Sequence, residues 1–390
     1  MDKGKGVADF SLLGGPLYRL GCRLGLVRDG TNTIALGLVL GALPWIVLVA
    51  LALAEHLGHV LFSIEAVAAH VRLLLVIPLF FVCEAMVDPQ FGAFVREIVR
   101  SQVVPPTARA RLDAEIQRIV RWRDSWLPEA CVLLLAVLLD VAAPQGSFVS
   151  YLPGHSDSGS SSAISATTWS SQWYWMVCMT LFRFLLLRWI LRLVQWSLFL
   201  RRLSKLELRL LPSHPDRAGG LGYLELVHAQ FVPLIVAISS IQSASLAQEV
   251  ASGRMAYEAI YPNIAFGLVA QAVLFLGPLF IFSPKLRKCR VKGILDFSVL
   301  GERYVHDFEK KWLGARRASA EELLGNNDIQ SLADLNSSAD AIRDMRIAPI
   351  SLSLLIELAI AALLPLLPLA LFKYPITELL AKFVELLAGV

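Results

Sequence analysis

Long apolar runs alternate with polar, arginine-rich stretches along this chain. Ile34–Ala54 is about twenty apolar residues broken only by Pro44, long enough to cross a hydrocarbon core of roughly 30 Å. Val71–Val87 is shorter, contains Pro78 and Glu84 and lies between Arg72 and Asp88, so it crosses only with little tilt or a local break. A third run, Leu127–Ala143, has Glu129 near its start and Asp140 near its end. The fourth, Trp173–Val194, begins among Trp169, Trp173, Tyr174 and Trp175 as an interfacial belt does, and carries Arg183, Arg188 and Arg192. Its helical pattern continues to about Leu211. Phe231–Ala247 is unusually polar, with Ser239, Ser240, Gln242, Ser243 and Ser245, which suits close helix approach or a wet cavity. Tyr261–Phe282 is closed by the helix-start signal Ser283-Pro284, and Ile350–Phe372 holds Glu357, Pro365 and Pro368.

The intervening stretches complete the domain plan. Residues 1–33 form an N-terminal segment with an interfacial portion, Phe10 to Leu26, around Gly14-Gly15-Pro16. Residues 34–87 are spans one and two. Residues 88–126 hold seven arginines, and Thr107 is placed to cap a helix with Leu112, Ile116, Ile119 and Val120 on one face, lying on the cytoplasmic surface. Residues 127–282 are spans three to six, with an external Ser/Gly-rich loop at 144–172 and a polar loop at 211–223. Residues 283–349 read as a cytoplasmic region of several short helices, basic from Lys285 to Lys292 and with a capping box at Ser319 to Glu322. Residues 350–372 are span seven, and 373–390 an external tail with Ile376, Leu379, Leu380, Phe383, Leu386 and Leu387 on one face.

Composition agrees with this pattern. A chain of 390 residues that is 56% hydrophobic, 17% charged and has a mean hydropathy of +0.60 is too apolar for an ordinary soluble domain. The reading is an all-α, polytopic transmembrane bundle of about seven spans whose first partner is the lipid bilayer. A formal charge of +4 argues for no nucleic-acid partner. Its distribution is more telling: 29 of the 36 Lys and Arg residues fall on the N-terminal side of a seven-span arrangement. The positive-inside rule then makes the N-terminus, the 211–223 loop and 283–349 cytoplasmic, and gives a basic face suited to anionic lipid. The early basic residues and the lack of a cleavage site suggest an uncleaved signal anchor. Cys22, Cys83, Cys131, Cys178 and Cys289 have no ligand spacing, so neither a disulfide framework nor a metal or other cofactor is expected.

Leu211-Pro-Ser-His-Pro-Asp-Arg-Ala-Gly-Gly-Leu-Gly-Tyr223 gathers most of the special residues. Its two prolines stop a helix, and Gly219, Gly220 and Gly222 permit a loop whose N–H groups form a concavity for an anion or a carboxylate. His214 and Asp216 could form a base and its orienting acid, but no nucleophile motif accompanies them, and no catalytic residue is assigned. A rigid turn, with Asp216 and Arg217 capping helices or clamping neighbouring loops, is the alternative. His214-Pro215-Asp216 also matches the J-domain tripeptide without that domain's soluble helices. That match is read as chance.

Charges inside spans are costly and normally find partners. At about 1.5 Å per residue Arg183 lies roughly 15 Å below Trp173, with Arg188 about one and a half turns deeper. Glu84, Glu129 and Glu357 all fall in the cytoplasmic half, which predicts a cluster of the three with Arg188 and Arg192. Snorkelling ends are the alternative for Glu129 and Arg192. Arg183 is expected to pair with a carboxylate or with span five, and Asp140 with Arg72 or an outer vestibule.

The stretch His214 to Gly222, with Asp328-Ile-Gln-Ser-Leu-Ala-Asp-Leu335 and Met345-Arg346, resembles uncharacterised multi-span integral membrane proteins of bacteria. The resemblance implies a bacterial inner membrane and brings no activity or site. Three functions follow from the residues themselves. A channel or transporter, for an anionic solute, would use Arg183, Arg188, Glu84, Glu129 and Glu357 as its pathway. A membrane enzyme would bind lipid or carrier head groups at His214, Asp216, Arg217, Gly219, Gly220 and Gly222, helped by the basic run 285–292. A sensor or assembly subunit would hold a soluble partner through 283–349, and a homo-oligomer is compatible with all three.

Overall fold

The computed structural model describes residues 11, 14–23, 25, 33–142, 168–313 and 326–373. Among the described residues there is helix and no strand, as a chain that must satisfy its own backbone in lipid requires. The helices are α1 (Pro16–Arg23), α2 (Ile34–Ala54), α3 (Val67–Arg100), α4 (Pro106–Asp124) and α5 (Trp126–Ala142). Trp169–Trp173, Tyr174–Met179 and Thr180–Leu203 run on as α6. Then come α7 (Tyr223–Ala229), α8 (Val232–Ala251), α9 (Ile260–Leu276), α10 (Ser283–Trp312), α11 (Asn327–Arg343) and α12 (Leu352–Leu363). Gly277–Phe282 and Leu364–Phe372 continue α9 and α12 as tighter 3-10 turns.

Five stretches among the described residues are long and apolar enough to cross a membrane: Ile34–Ala54, Val67–Arg100, Tyr223–Ala251, Tyr257–Trp312 and Leu352–Phe372. The pair α4 and α5, bent by 50°, makes a sixth when counted as one crossing. α6 is not one of them and carries five arginines, Arg183, Arg188, Arg192, Arg201 and Arg202. Tyr257–Trp312 has 56 residues. That is about 84 Å of helix, nearly three core thicknesses, so most of α10 projects beyond the apolar layer.

Several boundaries differ from the expected ones, each for a packing reason. The second span does not stop at Val87: α3 continues to Arg100 because Phe91, Phe94, Val95 and Ile98 are buried at helical spacing, with Phe91 and Phe94 against Trp196. Thr107 is not a cap; Pro105 takes that place and Pro106 the first helical position, where its missing N–H is harmless. α6 ends at Leu203 rather than Leu211, since the following segment leaves the helix to bond elsewhere. Arg209 N donates to Val103 O at 2.8 Å, and the Cys289 thiol contacts Leu210 O at 3.5 Å. Residues 283–343 contain two long helices instead of several short ones, because Pro284 sits in the first turn of α10 and Gly293 packs against Pro212. The capping box at 319–322, most of the 144–172 loop and the tail beyond Lys373 lie outside the described residues.

The main core is an apolar cluster centred on α3, α6 and α8, with Phe80, Phe81, Phe94, Trp196, Phe199 and Phe231 all but completely enclosed, and a smaller one joins Leu246, Ile260, Leu366 and Leu369. α5 differs. Only Ala136 of it is buried, while Leu134, Leu138 and Val141 are exposed as a lipid-facing surface would be.

Candidate ionic network and central loop

α6 presents Arg188 and Arg192 one turn apart, hence on the same face, towards Glu84 of α3. Arg188 Nη1 donates to Glu84 Oε2 at 3.0 Å, and Arg192 Nη2 donates to Glu84 Oε1 at 2.9 Å. Arg192 Nη1 lies 2.8 Å from Glu84 Oε2, so one carboxylate serves two guanidinium groups. Arg188 Nε reaches the other way, to Glu129 of α5 at 3.2 Å. Glu84, Arg188 and Arg192 are buried, and two carboxylates balance two guanidinium charges. Burial of such groups is tolerable only when paired in this manner, since an isolated ion in a low-dielectric interior is far more costly.

The N-terminal segment seals the network from one side. Arg188 Nη2 donates to Gly14 O at 3.4 Å, and Gly15, at φ +90°, lies against the Glu129 carboxylate, which a Cβ at that position would displace. The Ser11 hydroxyl lies 2.8 Å from both oxygens of Asp88, and Arg123 Nη1 donates to Ser11 O at 2.7 Å. The free space left beside Glu84, Asp88, Trp189, Arg192 and Phe231 is about 10 Å³, room for about one water.

Of the residues the sequence proposed for one layer, the structure brings together Glu84, Glu129, Arg188 and Arg192. Arg183 is separate: it forms an ion pair with Asp140 of α5, whose other oxygen accepts from Thr180 Oγ1 at 2.6 Å. Asp140 therefore does not pair with Arg72. Glu357 does not join the cluster either; its side chain is exposed, outside the arc through which Leu354, Leu358, Ala361 and Ala362 bury α12. The polar residues of α8 tie helices together. Ser239 and Gln271 exchange hydrogen bonds at 3.1 and 3.2 Å, and Gln242 Nε2 donates to Asn263 O at 2.7 Å.

In the central loop the predicted concavity exists and is filled by the chain's own carboxylate. Asp216 accepts from the N–H groups of Ala218 at 2.8 Å, Gly220 at 3.0 Å and Gly222 at 2.8 Å, and its Oδ1 lies 2.8 Å from His214 Nδ1. Burial works to raise the pKa of Asp216; hydrogen bonds from Ala218, Gly222, Gly220 and His214 outweigh it and hold the carboxyl below its ordinary value. Arg217, at φ 54°, offers its carbonyl to Arg346 N at 2.8 Å, while Arg346 Nη2 donates to Asp216 O at 2.8 Å and its guanidinium pairs with Glu225. Gly220, at φ +96°, leaves no room for a Cβ, which would stand 2.7 Å from Val103. Gly219 packs beside Met345 and Leu286. The loop thus joins the ends of α3 and α6 to α10 and to the entry of α12. Its helix α7 has seven residues, and the Ala218, Gly220 and Gly222 N–H groups before it are already taken by Asp216.

Sequence reasoning missed the role of Asp88 beside Ser11 and the location of Arg72 among neutral hydroxyls. Both flank a span, where position along the chain gives depth but not direction around the helix. No group of three or more His, Cys, Asp or Glu side chains that could hold a metal occurs among the described residues. No protein-family model, curated protein or solved structure matches this chain.

Proposed function

We propose that this chain is a membrane channel or transporter for an anionic solute, with seven crossings and a cytoplasmic N-terminus in a bacterial inner membrane. Its working element is the network of Glu84, Glu129, Arg188 and Arg192. The observation that carries the reading is the sharing of partners across three helices: Glu84 serves two arginines, and Arg188 serves two carboxylates. A shared ion-pair network can change partners in discrete steps, which is what a gate or coupling site needs. An anion meeting Arg188 would compete with Glu129 for the same guanidinium, and loss of that pair would free the inner end of α5. The closed network then represents the resting arrangement.

Purified protein in liposomes, assayed separately for anion and proton flux, tests this. Anion flux lost in Arg188→Gln and kept or raised in Glu129→Gln supports the proposal. Proton flux lost in Glu129→Gln, with no anion flux in the wild-type protein, would overturn the anionic solute and make the carboxylates the working groups. Absence of both fluxes would overturn transport.

One observation favours a second reading. At the start of α10 a groove of about 760 Å³ is lined by Arg287, Lys288 and Lys292 beside Val291, Leu295 and Ile347. Three cations next to apolar side chains, where a helix leaves the apolar layer, match an anionic lipid head group. Under this reading the protein acts on or through such lipids, at α10 rather than at the 211–223 loop.

A further inference from the structure

Two stretches of the bundle are π-helical, Val71–Val76 in α3 and Tyr174–Met179 in α6. Such widened turns are rare and concentrate at functional sites. Here both border one cavity of about 160 Å³. The first stretch contributes Arg72 and the second Tyr174, Trp175 and Met179, with Ser245, Gln248, Glu249 and Arg254 on the remaining wall. The cavity lies near the start of α3, whereas the far end of that helix meets the central loop, about 42 Å away along the axis.

Arg72 has an environment unlike that of Arg183, Arg188 and Arg192. Each of those faces a carboxylate. Arg72 instead donates from Nη1 to the Tyr174 hydroxyl at 2.7 Å and from Nη2 to Ser245 Oγ at 3.2 Å, both neutral acceptors. No carboxylate among the described residues stands within ion-pair distance of it, Glu249 on the same wall included. Trp175 adds a second unmet donor: its Nε1 is buried and has no acceptor. A positive guanidinium, with five N–H groups in a rigid plane and no carboxylate partner, on one small polar cavity calls for an acceptor carrying negative charge.

We propose that this cavity binds a small oxyanion, a carboxylate or phosphate group, with Arg72 supplying the charge and Trp175 forming the wall beside it. The hydroxyls of Tyr174 and Ser245 hold the guanidinium in place without neutralising it. The site goes beyond the transport reading and stands without it, because binding is measured with no flux.

The test uses the full chain in nanodiscs, followed by thermal unfolding and tryptophan emission during titration with sodium acetate or sodium phosphate, with sodium chloride at matched ionic strength as the reference. A saturable rise in unfolding temperature with acetate or phosphate, absent with chloride, is expected. The anion that saturates at lower concentration identifies the carboxylate or phosphate preference. Arg72→Gln should weaken the response about tenfold or more, the loss of a charged hydrogen-bond partner. Trp175→Phe should weaken it less and remove any emission change due to that indole. If Arg72→Gln does not fold, Trp175→Phe and Ser245→Ala carry the comparison. No saturable effect of either anion on the wild-type protein, or an unchanged effect in the folded variants, would overturn the site.

Discussion

Replacing Glu84 by Gln removes one negative charge from the centre of the buried network and changes little in volume. Arg188 keeps Glu129 at 3.2 Å, whereas Arg192 loses the carboxylate that it meets at 2.8 and 2.9 Å. The stranded group is therefore Arg192, left with the face of Trp189 at 5.5 Å. Breaking a buried pair from one side costs about 3–5 kcal/mol, and the amide oxygen of Gln retains one acceptor, which places the loss near the lower bound, about 3 kcal/mol. Against a total stability on the order of 5–15 kcal/mol this is a large share. Thermal and denaturant unfolding in a fixed detergent, followed by tryptophan emission, gives the magnitude. A double-mutant cycle with Arg192→Met supplies the mechanism: removing the stranded cation should return part of the loss, so the double variant should be at least about 1 kcal/mol more stable than additivity predicts. A loss below about 1 kcal/mol, the range of exposed pairs, or strict additivity, would refute the claim that these charges are desolvated and mutually dependent.

Three further outcomes are expected. Asp216→Ala should destabilise the central loop by about 3 kcal/mol, since three backbone N–H groups lose a charged acceptor; because the folded pKa of Asp216 is depressed, its contribution is present above about pH 4 and lost as pH falls further. Proteolytic nicking of residues 211–223 between pH 7 and pH 3 reads this, and a flat profile, or wild-type resistance in the variant, would contradict it. Gly220→Ala should cost about 1–3 kcal/mol through its φ of +96° and the approach to Val103, and an unchanged melting temperature would show that the loop yields. A reporter fused after Ser158 should be external and one after Gly314 cytoplasmic; the same side for both would end the seven-span arrangement.

Much of the helical order was legible because hydrophobic length and helix-breaking residues are local properties. The meeting of Glu84, Glu129, Arg188 and Arg192 was also legible, since rise per residue and alternating direction suffice to put the four side chains at one level. Rotation about a helix axis was not. Glu357 shares the predicted depth yet falls outside the buried arc of α12, and a single sequence does not say which flank of that helix meets a neighbour. Arg183 found its carboxylate in Asp140 because α5 and α6 run side by side in opposite directions, a neighbour relation that depth alone leaves open. The continuation of α3 past Val87 was readable in principle from Phe91, Phe94, Val95 and Ile98, whose helical spacing was masked by the adjoining arginines. The π-helical stretches left no sequence signal, so the cavity at Arg72 emerged only from the fold.

The same ion pairs distinguish how the two halves of the bent pair α4–α5 are held. α4 is anchored by Leu112, Ile116 and Ile119 and by Glu115 against Arg202 at 2.9 Å. α5, beyond the 50° bend at Ser125, buries only Ala136 and is attached to α6 near its two ends, by Glu129 to Arg188 and by Asp140 to Arg183. A helix fixed by broad apolar packing resists displacement in proportion to the area it would expose. α5 adds to its packing along α6 two charge contacts, which a purely apolar helix lacks. Glu129 is the contact that the N-terminal segment covers through Gly15, and Arg188 is the partner it shares with Glu84. Release of α5 at its Glu129 end therefore requires both a new partner for Arg188 and displacement of the Gly14-Gly15 turn, so the N-terminal segment and this ion pair hold that end together.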